Sequence, residues 1–243
     1  MRYAILSDIH GNLEALEAVM DALSAESVEA YLSIGDVVGY GANPKECINI
    51  LRSLEPEVLI AGNHEWGVLG LKGLEDFAET ARGAISWTKK IMDKEDLEYL
   101  KSFSILYEDE KMTLVHGSLY MPEEFYYILN TDDAYIAIKE MKNFVCFVGH
   151  SHVGGIFAYN HKDVEVIEID EVVRIDPDRR YIINSGSIGQ PRNGDPRASY
   201  AVYDDEESTV EIKRVAYDIK KAQEKILKAE LPPQLAYRLS EGR

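Results

Sequence analysis

Five short stretches of the chain hold five of its six histidines together with two aspartates and an asparagine. They are Asp8-Ile9-His10, Gly35-Asp36, Gly62-Asn63-His64-Glu65, His116-Gly117 and Gly149-His150-Ser151-His152. Imidazole, carboxylate and amide oxygen, with no thiolate among them, form a donor set for Mn²⁺, Fe, Zn²⁺, Ni²⁺ or Co²⁺ rather than for a structural zinc knot. In Asp8-x-His10 and His150-x-His152 the two side chains point the same way if the preceding strand continues, because strand side chains alternate with period two. Each pair could then grip an ion together. One aspartate or histidine at a strand end is commonly solvated or a helix cap. Seven such donors at five strand ends make coincidence a poor explanation.

The elements that must position these residues are legible from periodicity. Arg2 to Ser7 is a short apolar run stopping at Asp8, which predicts a buried strand. Leu13, Leu16, Val19, Met20 and Leu23 recur at helical spacing, with Glu14, Glu17 and Asp21 opposite. Tyr31 to Ile34 predicts a second strand. Asn43-Pro44 opens a second helix through Ile48 and Leu51, with Asn43 as its cap and Pro44 at its first position. Glu57 to Ile60 predicts a third strand. The order β-α-β-α-β implies parallel pairing with helical crossovers, and functional groups in such sheets gather beyond the carboxyl ends of the strands. Leu74 to Ile91 and Glu95 to Phe103 read as helices. From Met112 onward the character changes to short β-type runs: 112–115, 144–148, 155–159, 164–169, 180–183, 200–203 and 210–215, with Asp204 to Ser208 as a hairpin loop. Tyr217 to Leu227 predicts a closing helix, and Leu231-Pro232-Pro233 begins a tail. One domain over residues 1–243 is expected, with two sheets, one more parallel and one more antiparallel, and helices outside.

Lys and Arg number 26 against 43 Asp and Glu, a net charge of −17 in 243 residues. That balance argues against a basic groove tracking a long nucleic acid, which needs clustered Lys and Arg. A local phosphate ligand remains compatible with it. With 46% apolar and 28% charged residues, the composition is that of an ordinary globular protein. No run reaches membrane-spanning length and the N-terminal apolar stretch is too short for a signal peptide, so no membrane partner and a cytoplasmic location are expected. Cys47 and Cys146 lack metal-type spacing and read as buried free thiols. The chain has no phosphate-loop Gly-x-x-x-x-Gly-Lys, and Ser118 and Ser187 lack the Gly-x-Ser-x-Gly elbow.

Taken in order, Asp-x-His, Gly-Asp, Gly-Asn-His-Glu, His and Gly-His-x-His resemble the motif set of the calcineurin-like metallophosphoesterases, from Arg2 to about Val215. The Asp8-Ile9-His10-Gly11-Asn12 form and the run Asn184-Ser185-Gly186-Ser187-Ile188-Gly189-Gln190-Pro191-Arg192 are similar to the small prokaryotic branch of that family, in which phosphodiesterases are common. The resemblance implies an α/β fold, a four-layer α/β/β/α sandwich of two mixed sheets flanked by helices. It implies two divalent metal ions, Mn foremost, with Fe, Zn, Ni, Co or Mg as alternatives. One ion would be held by Asp8, His10, Asp36 and His152, the other by Asp36, Asn63, His116 and His150, with Asp36 bridging. His64 would be the catalytic acid. Two divalent ions and two aspartates leave a charge of about +2 to meet a phosphate. A shared hydroxide, formed because a metal lowers the pKa of its water to about 7, would attack phosphorus in line while His64 protonates the departing oxygen.

In protein phosphatases of this family the bridging Asp is followed by a second Asp that orients the catalytic His and then by an Arg that binds phosphate. Asp36-Val37-Val38-Gly39-Tyr40 has Gly and Tyr at those places, which leaves both tasks unassigned. Arg192 and Arg197 are candidates for binding phosphate, with a surface salt bridge as their other use. Asn12 could touch the phosphate or cap the first helix. Tyr120, Phe125, Tyr126 and Tyr127 could stack on a nucleobase or pack as core and lid; Trp66 and Trp87 read as packing. The expected activity is hydrolysis of a phosphodiester in a small, nucleotide-like substrate. Phosphomonoesterase or protein-phosphatase-like activity is the alternative. A non-catalytic scaffold on the same fold is a third reading, disfavoured by the intact Asn63-His64 and the full ligand set.

Overall fold

The computed structural model of the chain describes residues 1–169 and 172–243. In β1 (Arg2–Leu6), Tyr3 and Ile5 alternate with Ala4 and Leu6, and all four are buried, so the strand is covered on both faces. α1 (Leu13–Leu23) lays Leu16, Val19 and Leu23 against Ala4 and Leu6. β2 (Ala30–Ser33), α2 (Pro44–Ser53) and β3 (Val58–Leu59) continue the pattern, and β1, β2 and β3 pair in parallel as their order implies. α3 (Asn63–Leu69), α4 (Glu79–Ile91) and α5 (Lys94–Lys101) lead into β4 (Leu106–Glu108) and β5 (Thr113–Val115). α6 (Thr131–Glu140), β6 (Val145–Val148), β7 (Gly155–Tyr159) and β8 (Val164–Ile167) follow. β9 (Val173–Arg174), β10 (Arg180–Asn184), β11 (Ala198–Asp204), β12 (Thr209–Val215), α7 (Ile219–Lys228) and α8 (Gln234–Tyr237) complete the order.

One sheet runs β3-β2-β1-β11-β12-β9 and the other β4-β5-β6-β10-β7-β8. Both are mixed. β5, β6 and β10 are parallel in the second sheet as β1 to β3 are in the first, and the remaining neighbours are antiparallel. The expected contrast between a more parallel and a more antiparallel sheet is therefore replaced by two sheets of the same mixture. Ile5, Leu32, Leu114, Phe147, Ile183 and Tyr203 fill the space between them. Outside, α1 to α5 cover the first sheet, while Ala134, Ala137 and Ile138 of α6 pack on Val115, Cys146 and Val148 of the second. The layers are α/β/β/α, as the motifs imply.

Some local expectations are corrected. Leu74 to Ile91 is not one helix: a 3-10 turn at Leu74–Asp76 gives way to extended backbone at Phe77 and Ala78 before α4 begins. The break turns the Phe77 ring onto Gly67 and His64. α3, β4, α6 and β9 escape the periodicity reading because they are short or, in α6, present a largely alanine face. Asn43 occupies the cap position of α2 without a capping bond; its amide donates to Glu46 Oε1 at 2.8 Å. Pro44, which has no N–H to satisfy, begins the helix as expected. The segment after Leu231 folds back, burying Leu231, Leu235, Ala236 and Leu239 against Ala84 of α4 and Ala222 and Ile226 of α7. Among the described residues no helix is long and apolar enough to cross a membrane. Cys47 and Cys146 are buried free thiols.

Leu235 is 1% exposed, so Leu235→Ala should lower the unfolding free energy by about 2–5 kcal/mol. Urea titration measures this; a change near zero would detach the C-terminal segment from the core.

Candidate metal centre and active site

The five motifs meet at one edge of the sandwich. Asp8 and His10 follow β1, Asp36 follows β2, Asn63 and His64 open α3 after β3, His116 follows β5, and His150 and His152 follow β6. All five places are carboxyl ends of parallel strands, drawn from both sheets, where such sheets bind ligands. The strands do not continue through the motifs. β1 stops at Leu6 and β6 at Val148, and Asp8, His10, Asp36, His150 and His152 all have positive φ, between 50° and 66°. Left-handed backbone at a residue with a side chain costs roughly 1–2 kcal/mol, so strain is gathered here as it is at functional centres. Hydrogen bonds between the loops offset it: Asp8 N–H donates to Gly35 O at 3.0 Å, His10 N–H to Asp36 O at 2.8 Å and Gly11 N–H to Val37 O at 2.9 Å. Tight turns, not strand alternation, make each Asp/His and His/His pair converge.

Asp8, His10, Asp36, His64, His116 and His152 are at most 2% exposed. Asp8 Oδ1 lies 3.2 Å from His152 Nε2 and 3.7 Å from His10 Nε2. Asp36 Oδ2 lies 3.2 Å from His116 Nε2 and 3.6 Å from His10 Nε2. Donors sharing an ion at about 2.1 Å stand about 3.0–3.4 Å apart. His10 Nδ1 contacts Val38 O at 3.1 Å, His116 Nδ1 contacts Ile34 O at 2.7 Å and His152 Nδ1 contacts Gln190 O at 2.6 Å. A carbonyl only accepts, so each Nδ1 carries a proton, which in the neutral ring leaves Nε2 presenting its lone pair inward. His10 Nε2 and His152 Nε2 then face each other at 3.1 Å. Asp8 Oδ1, Asn63 Oδ1 and His116 Nε2 are buried without a hydrogen-bond partner. Such a donor set is uncompensated within the chain and fits a bound cation. Three groupings bring their donor atoms mutually close: Asp8, His10 and His152; Asp36, His116 and His150; and His10, Asp36 and His64. The first two fall within the two expected ligand sets.

Burial raises the Asp8 carboxyl, but His152, His10 and His116 outweigh it and hold the group well below its usual range. Asp36 is likewise raised by burial and brought far down by His116, His64 and His10. Burial lowers His64 and His150 to about 3 and takes His152 well below the ordinary imidazole range. For His116 burial is outweighed by Asp36 and Asp8, which raise it to about 10; a proton there stands in for a cation. Glu65 is the residue whose role the motif did not reveal. Burial and the charge of Asp36 push its carboxyl up to about 7. Its two oxygens nevertheless accept the backbone N–H groups of Gly62, Asp36, Val37 and Val38 at 2.8–3.2 Å, and four donors leave no acceptor for a carboxyl proton. Glu65 thereby ties the Asp36 loop to the first turn of α3.

His64 donates its backbone N–H to Asp36 Oδ1 at 2.9 Å. Its ring packs on Tyr40, His10 and Phe77 at centroid distances of 4.5, 4.7 and 5.8 Å, and Nδ1 has no hydrogen-bond partner. A Cβ on Gly39, which has φ +90°, would stand 2.0 Å from that Nδ1. Position 39 therefore admits no side chain, and packing instead of a carboxylate orients His64. Arg192 reaches Tyr40 from a distant segment: it donates to Tyr40 OH at 3.3 Å and Gln190 Oε1 at 2.9 Å, and its backbone N–H bonds His152 O. Arg197 instead closes an ion pair with Asp195. Asn12 caps α1, its Oδ1 accepting Ala15 N–H at 3.2 Å while its amide donates one N–H to Gly189 O at 2.8 Å, so capping is the use the structure shows. Tyr127 stacks on His150 with centroids 4.0 Å apart. Phe125 is buried against Trp66, Trp87 packs with the C-terminal segment, and Tyr120 and Tyr126 stack on each other at the surface. A cleft of about 340 Å³ opens beside His64.

The calcineurin-like phosphoesterase superfamily domain matches residues 1–208. The chain is 39% identical to the uncharacterized protein MJ0912 of Methanocaldococcus jannaschii, over 99% of this chain and 98% of that one. Its fold superposes on the crystal structure of a metallophosphoesterase from Sphaerobacter thermophilus with a TM-score of 0.88 and 38% identity, covering 100% of this chain and 99% of the other. Phosphodiesterase YfcE of Escherichia coli strain K12 is 25% identical over 85% of this chain and 89% of its own length. The chain belongs to the calcineurin-like phosphoesterase family.

When the metal-free chain unfolds, His64, His150 and His152 return to an ordinary imidazole pKa of about 6.5. Their folded values are lower, so their contribution to stability is present above about pH 6.5 and lost as the pH falls. His116 has the opposite sign: its contribution is present below that pH and lost as the pH rises toward about 10. Calorimetry without metal should therefore find the highest melting temperature near neutral pH, with excess Mn²⁺ removing the alkaline decline. A melting temperature climbing steadily from about pH 7 to 9 without metal would contradict this electrostatic picture.

Proposed function

We propose that the chain is a two-metal phosphodiesterase acting on a small, nucleotide-like phosphodiester. The observation that carries this reading is the His10–His152 pair, whose Nε2 lone pairs face each other at 3.1 Å beside two buried carboxylates. Asp8, His10, Asp36 and His152 would hold one ion, and Asp36, Asn63, His116 and His150 the other. Manganese suits this nitrogen and oxygen set, with iron, zinc, nickel, cobalt and magnesium as alternatives. When bound, the ions offset phosphate charge and make a water acidic enough to serve as nucleophile near neutral pH.

The chain's own residues do the rest. The carbonyls of Val38, Ile34 and Gln190 hold three imidazoles in one tautomer and orientation. Arg192, steadied by Tyr40 and Gln190, is the charged donor for phosphate oxygens. His64 protonates the departing oxygen. The net charge of −17 does not oppose an anionic substrate, because distant carboxylates are screened over about 8 Å at physiological salt. Similarity to phosphodiesterase YfcE, and Tyr40 in place of an arginine, support a diester over a monoester.

Purified protein should hold close to two transition-metal ions by elemental analysis, lose activity to a chelator and regain it with Mn²⁺. Asp36→Asn should release more metal than any other ligand substitution, since both sites draw on it. Full activity in metal-free protein would overturn the mechanism. With one metal, kcat/KM on bis(p-nitrophenyl) phosphate should exceed that on p-nitrophenyl phosphate; the reverse order would favour a phosphomonoesterase.

His64→Ala should keep both metals and lose about 10²–10⁴-fold on alkyl or nucleoside esters. It should lose only modestly on nitrophenyl esters, whose leaving group needs little protonation. Equal losses across leaving groups, or falling metal content, would make His64 a positioning residue.

A further inference from the structure

We propose that Lys72 is the cation of a second anion subsite beside His64, and that it selects phosphodiesters whose leaving group carries its own phosphate or carboxylate. The inference rests on the phosphodiesterase reading above. A group protonated by His64 departs into the cleft that His64 borders, and Lys72, Asp76, Glu124 and Phe125 line the walls of that cleft. The backbone N–H of Lys72 donates to Trp66 O at 3.3 Å, and Trp66 lies on α3 together with His64. Lys72 and the acid are thus anchored on one short rigid element.

The Lys72 side chain is only 20% exposed, and its ammonium sits 5.8 Å from the centroid of the Phe125 ring. A lysine ordinarily extends its ammonium into water; this one is drawn beneath an aromatic. Among the described residues its nearest carboxylate is Asp76 at 4.0 Å, a side chain that is itself 54% exposed. Glu124, the other carboxylate on the cleft wall, is exposed as well. Both acids can turn to solvent, whereas Lys72 keeps donors directed at no close acceptor. An anionic group on the leaving side takes the place that Asp76 holds loosely, and the ammonium supplies up to three N–H donors to it.

The test uses two matched aryl methyl phosphodiesters whose leaving phenol bears either a carboxylate or a neutral carboxamide, with the Mn²⁺-loaded full chain. Lys72→Met should lower kcat/KM on the carboxylate substrate by about 10–100-fold, mainly through KM, because a charge-assisted hydrogen bond is lost. On the carboxamide substrate the change should stay within about 3-fold. Lys72→Arg should restore most of the difference, and Asp76→Asn should lower KM for the carboxylate substrate by removing its competitor. Calorimetric binding of inorganic diphosphate, measured against monophosphate, should lose its advantage in Lys72→Met. Equal losses on both substrates, or a rise in KM with Asp76→Asn, would reduce Lys72 to a structural partner of Asp76 and overturn the proposal while leaving the phosphodiesterase reading intact. Failure of the unsubstituted protein to cleave either ester would instead remove that reading, and this proposal with it.

Discussion

Two carboxylates, Asp8 and Asp36, are buried among imidazoles, three of which commit their Nδ1 protons to backbone carbonyls. Taking such charge out of water carries an effective penalty of several kcal/mol for each ion even after relaxation, roughly. Positive charge has to be present at the same place. The donor atoms come from both sheets, so the interface between the sheets governs how far the Asp8 and Asp36 side of the cluster lies from the His116 and His150 side. Ile5 and Phe147, packed between the sheets, stand on the strands that precede Asp8 and His150. A cavity or overpacking there would be felt at the cluster, because a close-packed interior transmits strain.

The loop after β2 carries the same constraint into how an anion could be recognised. Successive backbone N–H groups at Asp36, Val37 and Val38 form the kind of concavity that elsewhere receives a phosphate. Here Glu65 already fills it, accepting all three and Gly62 as well. Backbone donors at this loop are therefore spent on holding Asp36 in place. On the proposed reading phosphate recognition would fall to side-chain cations instead, with Arg192 held against Tyr40 and Lys72 on the cleft wall, on separate segments of the chain.

Residue types at the ends of predicted strands made most of this site legible, because a β-α-β pattern fixes which edge of a parallel sheet carries the functional loops. The backbone route was not legible. An extended chain through Asp8-x-His10 predicts convergence by alternation, whereas left-handed turns bring it about, and positive φ at Asp or His leaves no mark in the sequence as it does at glycine. Arg192 and Arg197 look alike in a Pro, Gly and Asp-rich loop; the fold alone sends one to Tyr40 and the other to Asp195. The break at Phe77 seats its ring against His64, a contact that no local periodicity encodes. α3 and β9 are shorter than any periodicity window can resolve. Lys72 sits in a Leu-Lys-Gly turn that carried no signal at all.

His64 is where the departure from the wider family has its chemical consequence. Burial lowers its imidazole to about 3, so the ring is neutral at pH 7 in the free protein. A carboxylate at position 39 would hold a proton on Nδ1 in advance, but the slot between Gly39, Tyr40 and Phe77 has room for the ring and nothing else. Cations bound in the neighbouring cluster would lower the ring further, and an anionic phosphate in contact would raise it. On the proposed mechanism, the proton that His64 would give to a leaving oxygen thus arrives together with the substrate's negative charge. Keeping the ring neutral until then would spare the site a fourth like charge next to Arg192, Lys72 and any bound cations, while packing on Tyr40, His10 and Phe77 holds the ring in place.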